Sequence, residues 1–356
     1  MIYLFSSAFY PAHRANVLNT LFLPNGCLNW YRYRKEHVFQ ALWSNPASAK
    51  KERCLVVFVD RFASGGYRFT PLRSGVVSNV ERDQDHLHFE VRLADVVCAA
   101  DIEEFNRDIV EALTPHGLPQ LTNGDPRESH DGCYAIRAKE FYGNEGAFVT
   151  GDDGWTKTTD AVGMTQGFLD DPNTAVFLRC EITRGGKEAR PGSRSSRYSL
   201  LPGKDYALKL SYRCPDKGIL ARGKTIGVES GDLLHWHDTG RVPIGAPSDT
   251  ATRAFSVRKH PDNTRGSFRV TGDDDLVVPD ATVSFALRQS WIHFLSVIIA
   301  VALFALASAS MSLDHEASKH VALLSTLTMP WAKLVAVFVQ VSALLLLFRL
   351  VGKRVL

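Results

Sequence analysis

The apolar positions of this chain change character near its end. From Trp291 to Leu313, and again from Thr328 to Leu350, almost every position is apolar, and each run matches the roughly 20 residues that a helix needs to cross a bilayer. Before Trp291 the pattern is that of polar globular sequence, with short alternating or amphipathic stretches broken by Gly, Pro, Asp and Asn. The expected architecture is a mainly β head followed by a C-terminal two-helix transmembrane hairpin.

Within the head, residues 1–135 mix strand and helix signals and predict an α+β or β-barrel-like cytosolic domain. Met1 to Ser7 and Cys54 to Val59 are compact apolar runs suited to buried strands, and Arg14 to Phe22 suits a short helix. Leu87, Phe89, Val91 and Leu93 alternate with His86, His88, Glu90 and Arg92, the signature of a half-buried strand. Asp101 stands as N-cap before Ile102, Phe105, Ile109 and Leu113 at helical spacing, with Glu104 at the third helical position. Residues 136–288 read almost wholly as short strands and predict a β-sandwich-like domain: Ala175 to Thr183, Tyr206 to Tyr212, Ala254 to Val257, Ser267 to Thr271 and Thr282 to Leu287. The segment Gly146-Ala147-Phe148-Val149-Thr150-Gly151-Asp152-Asp153 recurs, with one inserted residue, as Gly266-Ser267-Phe268-Arg269-Val270-Thr271-Gly272-Asp273-Asp274, which is read either as two related β units or, the reading preferred because the similarity does not extend much further, as the same strand-to-turn solution found twice. Thr183 to Ser199, rich in Gly, Arg and Ser, predicts a basic, mobile loop.

Residues 289–356 carry the two spans, 291–313 and 328–350, and a short basic tail. Trp291 and Trp331 suit the membrane interface, and Lys333 lies near enough to it to snorkel. Gln340, with Ala305 and Ala309 at small-xxx-small spacing, predicts helix–helix association and hence self-association through the hairpin. Arg288 before the first span, and Arg349, Lys353 and Arg354 at the end of the second, outweigh Lys319 in the connecting loop. The excess of positive charge puts the head and both termini in the cytoplasm, on the inner membrane in a bacterium. The first residues lack the basic and apolar regions of a cleaved secretory signal. Cys27, Cys54, Cys98, Cys133, Cys180 and Cys214 are scattered without paired spacing and read as core residues.

Candidate chemistry is sparse. Asn29 to Lys35 read as a strand puts Trp30, Arg32 and Arg34 on one face, and Arg61, Arg68 and Arg73 add positive charge in the following segment. Arginine beside aromatic rings suits a nucleotide-like ligand through bidentate hydrogen bonds and stacking. Two His-x-His pairs, His86 with His88 and His235 with His237, are the candidate metal ligands. The second lacks the glycine spacing, the following glutamate and the downstream histidine of cupins, so no metal and no cofactor is expected. Phosphate-loop, nucleophile-elbow, His-Glu-x-x-His and dinucleotide-turn signatures are missing. A formal net charge of +3 gives no support for broad nucleic-acid binding.

A cytosolic head joined closely to two membrane spans resembles, in architecture, bacterial immune effectors that couple a sensing domain to short transmembrane segments. That resemblance implies a sensor-effector, in which the head binds a ligand or protein partner and the hairpin acts on the membrane, with antiviral defence as its setting. The alternatives are a membrane-tethered scaffold for a cytosolic partner and a membrane-associated hydrolase or transferase.

Overall fold

The computed structural model describes residues 1–8, 11–61, 67–113, 135–137, 147–192, 196–215, 217–258 and 265–288. Over these the chain is mainly β, with curled sheets. Both transmembrane spans lie outside the described residues. No helix among the described residues is long and apolar enough to cross a membrane. By contacts the chain divides into two units. The larger takes residues 1–199, 205–257 and 265–286; the smaller takes 200–204, 258–264 and 287–356.

The first sheet is built from β1 (Ile2–Ser6), β2 (Leu28–Arg34), β3 (Arg53–Arg61), β4 (Tyr67–Arg82), β5 (His86–Val96) and β7 (Ala135–Arg137), in the order β2-β5-β4-β3-β1-β7. Helices α1 (Pro11–Phe22) and α2 (Gln40–Ser44) lie in the crossover between β1 and β3, which pair in parallel. Every residue of β1 is buried, as is every residue from Cys54 to Val59, as expected of central strands covered on both faces. After the short β6 (Cys98–Ala99), α3 (Ile102–Leu113) sets Phe105 and Ile109 into one cluster with Tyr3, Phe5, Leu55, Val57, Val59 and Phe69. The Asp101 carboxylate caps it, accepting from the Glu103 and Glu104 N–H groups at 2.9 Å each. The Asn106 amide adds a further rung to β4, donating to the Phe69 carbonyl at 2.9 Å and accepting its N–H at 2.6 Å.

The bend in this sheet comes from Pro71 to Gly75. Register slips between β3 and β4 beside Pro71, and again between β4 and β5, where Arg73 faces Val96 and Gly75 faces Leu93. A third shift follows between Val77 and Asn79, and such irregularities, at Leu72 and Ser78 in β4 and at Ala94–Asp95 in β5, sharpen the local twist. Gly75 is required, because a Cβ there would come within 2.8 Å of the Arg92 carbonyl and the Val91 side chain. The second bulge strands the Ala94 and Asp95 carbonyls. Arg73 Nε donates to the first at 2.7 Å and Ser74 Oγ to the second at 3.3 Å. The rest of the Arg73 guanidinium reaches the end of α1: Nη1 donates to the Thr20 carbonyl at 2.8 Å and to that of Leu23, and Nη2 to Asn25 Oδ1 at 2.6 Å. α1 has no basic residue in its own last turn. Arg73 supplies the cation that the negative end of a helix favours.

Beyond β7 come β8 (Phe148–Val149), paired with β6, and the helices α3's successor α4 (Gly151–Gly163) and α5 (Gln166–Leu169). Two antiparallel five-stranded sheets follow. One, in the order β11-β10-β13-β17-β15, uses β10 (Phe177–Arg184), β11 (Lys187–Glu188), β13 (Asp205–Arg213), β15 (Leu234–Trp236) and β17 (Ser248–Val257). The other, β12-β20-β18-β14-β16, uses β12 (Tyr198–Leu200), β14 (Thr225–Ser230), β16 (Arg241–Pro243), β18 (Arg265–Gly272) and β20 (Thr282–Leu287). β9 (Thr174–Ala175) pairs in parallel with β19 (Leu276–Val277). Each large sheet has an apolar buried face, with Leu178, Cys180, Ile182, Leu208, Leu210 and Phe255 in the first and Ile226, Val228, Phe268, Val270, Val283 and Phe285 in the second. This alternation fits a β-sandwich-like fold.

Three expectations need correction. The nearly all-β reading after Tyr134 omitted α4, whose Gly151, Gly154 and Gly163 and paired threonines are poor helix formers. Tertiary contact decides here: Trp155 and Val162 are buried, and Gly154 lets the helix approach β8 so closely that a Cβ would meet the Val149 carbonyl at 2.5 Å. The repeated segment does not form two like β units. Its first copy opens α4 at Gly151, whereas its second ends β18 at Gly272 and turns. The stretch read as a loop from Thr183 contains the β10–β11 hairpin. Gly185 and Gly186 occupy its turn at φ +55° and +76°, the left-handed pair that a two-residue hairpin demands.

Replacing Arg73 by Met leaves the Ala94, Thr20 and Leu23 carbonyls without this donor. At about 1–3 kcal/mol for each buried group left unsatisfied, we expect a loss of roughly 3 kcal/mol or more in urea unfolding of the detergent-solubilised chain. A variant within about 1 kcal/mol of the parent would refute this role.

Candidate functional site

The structure brings part of the arginine–aromatic constellation together. On the edge strand β2, Tyr31 and Tyr33 are buried while Trp30, Arg32 and Arg34 are exposed on the other face, opposite Glu90, His88 and His86 of β5. Trp30 is 46 % exposed, a large value for tryptophan. Arg73 does not join them, being fully buried at the α1 terminus. Arg68 lies in the first turn-side half of β4, opposite Asp60 of β3 and beyond the end of the β4–β5 ladder. Arg61 ends β3 opposite Tyr67, and its side chain is outside the described residues. The membrane candidates Trp291, Trp331, Lys333, Gln340 and Arg349 are also outside them.

The histidine pairs are engaged locally. His88 Nε2 lies 3.0 Å from Asp83 Oδ2 and His86 Nδ1 lies 3.5 Å from Asp83 Oδ1. That carboxylate also accepts the Asp85 and His86 N–H groups, and the bond from His88, followed by these, holds it well below the usual range. In the second pair the neighbouring Asp238 turns away to Arg253, at 3.0 Å, and to the Gly240 N–H. Among the described residues no group of three His, Cys, Asp or Glu is placed to hold a metal.

A cleft that the sequence reading missed lies where α4 crosses the polar face of β10, β13 and β17. It has a volume of about 290 Å³, is open to solvent, and is lined by Asp152, Trp155 and Thr156 of the helix and by Arg179, Lys209, Ser211, Arg213 and Thr250 of the sheet, among others. Two ion pairs tie the helix across it. Arg179 Nη1 reaches Asp152 Oδ1 at 2.7 Å, and Arg213 forks onto Asp160, with Nη2 at 2.5 and 2.7 Å and Nε at 3.1 Å. Between them, Glu181 accepts from Arg179 at 2.7 Å and from Lys209 at 3.5 Å, and the Ser211 and Thr250 hydroxyls meet at 2.9 Å. Trp155 is 5 % exposed and its indole Nε1, also buried, has no hydrogen-bond partner. The sequence signal was present in the outward positions of β13, where Lys209, Ser211 and Arg213 alternate with a buried face. A second, smaller recess shares Arg179 and has Glu181, Arg73, Asn25 and Asp95 in its wall.

This arrangement suits binding. Its cations are already neutralised, its hydroxyls can serve a polar ligand, and neither histidine nor cysteine lines it to act as base or nucleophile at neutral pH. Comparison with known protein families and with curated proteins finds no match.

The five thiols among the described residues are shielded by burial. Cys27, Cys54, Cys98, Cys180 and Cys214 are all buried. Desolvation raises each, Cys27 and Cys214 to about 11 and Cys54 to about 12. Iodoacetamide at pH 8 should leave these five unmodified in the folded chain and modify them in urea, as read by peptide mass mapping. Rapid modification of any of them without denaturant would contradict the burial.

Proposed function

We propose that the chain is a membrane-attached recognition protein of sensor-effector type. Its β-rich head, an α+β region followed by a sandwich-like one, binds a polar ligand or a protein partner. Segments 291–313 and 328–350 cross the bilayer as a hairpin, with the head and both termini cytoplasmic. The hairpins associate between protomers through Gln340 and the Ala305/Ala309 face. The α4 cleft is our choice of ligand site, and antiviral defence is the setting that the architectural resemblance suggests.

One observation carries most of this reading. β20 runs unbroken to Leu287 and the next N–H, of Arg288, donates to the Leu200 carbonyl at 2.7 Å, while the first apolar run begins only three residues later, at Trp291. Ordered backbone leads almost directly into the apolar segment, so displacement of the strand reaches that segment with little slack. A tethered scaffold is the second reading, favoured by the exposed Trp30, Arg32 and Arg34 on edge strand β2, where a partner can add to the sheet.

Alkaline carbonate washing of membranes from cells expressing the full chain is expected to leave it in the pellet. Release into the supernatant would end the membrane reading. Native mass spectrometry of the detergent-released chain then separates the two roles. An assembly of four or more copies, or a retained small molecule, supports the sensor-effector, and a bare monomer or dimer supports the scaffold.

A further inference from the structure

The three most exposed large apolar side chains among the described residues belong to one neighbourhood. Ile219 is 79 % exposed, Leu220 65 % and Met164 56 %. Ile219 and Leu220 form the tip of the turn between β13 and β14. Met164 follows Gly163, which packs so tightly on Pro215 at the base of that turn that a Cβ would meet the proline ring at 2.6 Å.

The turn is built to hold this tip outward. The Ala221 N–H donates to the Lys217 carbonyl at 3.2 Å and the Lys224 N–H to the Ala221 carbonyl at 3.1 Å. The Gly223 N–H donates to the Ile244 carbonyl at 3.1 Å, and the Ile244 N–H returns a bond to Lys224 at 2.8 Å. Ala221 is wholly buried beneath the tip. Gly218 lies against Cys214 and Pro247, with no room for a Cβ, and Gly223 takes φ +78°. Two aliphatic side chains on a turn this well tied are not there to complete a core.

From this geometry we infer that the Ile219–Leu220 tip is a bilayer-contact point, entering the headgroup region of an anionic membrane and seating the head on it. The proposal rests on the membrane-attached reading and adds a second, weaker contact to it. The tip is convex and two residues wide, far short of the roughly 1,000 Å² that a specific protein interface needs. A lipid surface has no such threshold, since each buried methylene contributes separately. The flanking charge has the right sign in Arg222, which is exposed and has no ion-pair partner among the described residues; Lys217 does not count, because its Nζ donates to the Asp171 carbonyl. Nor does Lys224, because Asp275 neutralises it at 2.8 Å. A basic residue beside an apolar tip favours anionic headgroups.

The test uses the full chain carrying Cys133→Ser and Ile219→Cys. An environment-sensitive fluorophore is attached at residue 219, and the protein is reconstituted into phosphatidylcholine–phosphatidylglycerol vesicles containing brominated acyl chains. Lys187→Cys, on the exposed β11 hairpin, is the control, and Leu220→Cys is a second reporter should the first misfold. Blue-shifted emission at 219, with bromine quenching several-fold above that at 187 and reduced when phosphatidylglycerol is omitted, is the expected result. Emission as solvent-like as at 187, in protein that floats with the vesicles, overturns the tip contact and leaves the anchor intact. A shifted but unquenched probe means that protein covers the tip, from a second copy or this chain's own residues, and also overturns it. Failure to float overturns both readings.

Discussion

Arg73 places a full positive charge where only 2 % of the residue meets solvent, and no carboxylate among the described residues lies within ion-pair distance of it. Burial, with a smaller push from the Arg179 charge, pulls its pKa down to about 10, so it stays protonated at neutral pH. An uncompensated buried charge is tolerated only when its hydrogen bonds are satisfied, and here the acceptors are backbone carbonyls that themselves lack partners. A β-bulge and a helix C-terminus, each carrying orphan carbonyls, are closed by one side chain. The elements that follow build on that junction. Cys180 of β10 donates through its thiol to the Phe22 carbonyl at the end of α1, at 3.7 Å. Elsewhere on the same helix Arg14 pairs with Asp171, and Asn19 accepts the Asp280 and Ala281 N–H groups. α1, held at its end by Arg73, is where the first sheet meets the later strands.

The α4 cleft is held differently. Its ion pairs are partly exposed: Asp152 is 86 % open and Asp160 44 %. Pairs of this kind contribute about 0–1 kcal/mol each. What fixes α4 is the burial of Trp155, Thr158 and Val162 and the bond from the Thr158 hydroxyl to the Val97 carbonyl at 3.2 Å. Firm apolar seating beneath weakly held charges is useful in a recognition site. An entering polar ligand can exchange partners with Arg179, Lys209 or Arg213 at small cost while the helix stays in place.

Much of the fold was legible where a single period ruled. The alternation from His86 to Leu93, the capped helix after Asp101 and the continuous apolar runs of β1 and β3 each follow from local pattern, and the structure reproduces them. Legibility failed where contacts distant in sequence decide. The sequence of α4 carries little helical propensity, and only the space left by Gly154 and Gly163 against β8 and Pro215 makes that helix fit. The site divided in the same way. Strand alternation was enough to put Trp30, Arg32 and Arg34 on one face. Nothing local distinguishes Arg73, which enters the interior where the β3–β4 and β4–β5 ladders both slip, from Arg68 five residues earlier. The α4 cleft needs helix and sheet together, so no contiguous motif could announce it.

The pairing of β20 constrains how any signal could leave the head. It is joined to β18 from Arg265 opposite Ala286 to Arg269 opposite Thr282, and β18 in turn to β14. A slip of one residue would turn Val283 and Phe285, now buried, out of the core and bring polar neighbours in. Loss of two such side chains from the interior costs about 3–6 kcal/mol, more than a modest ligand can supply through a few polar contacts. β20 therefore has one way to move, as part of its sheet. Under the sensor-effector reading, a ligand must act by tilting packed strands together. A ligand in the α4 cleft touches β10, β13 and β17 of the other five-stranded sheet, so its effect has to pass from that sheet to the one that holds β20.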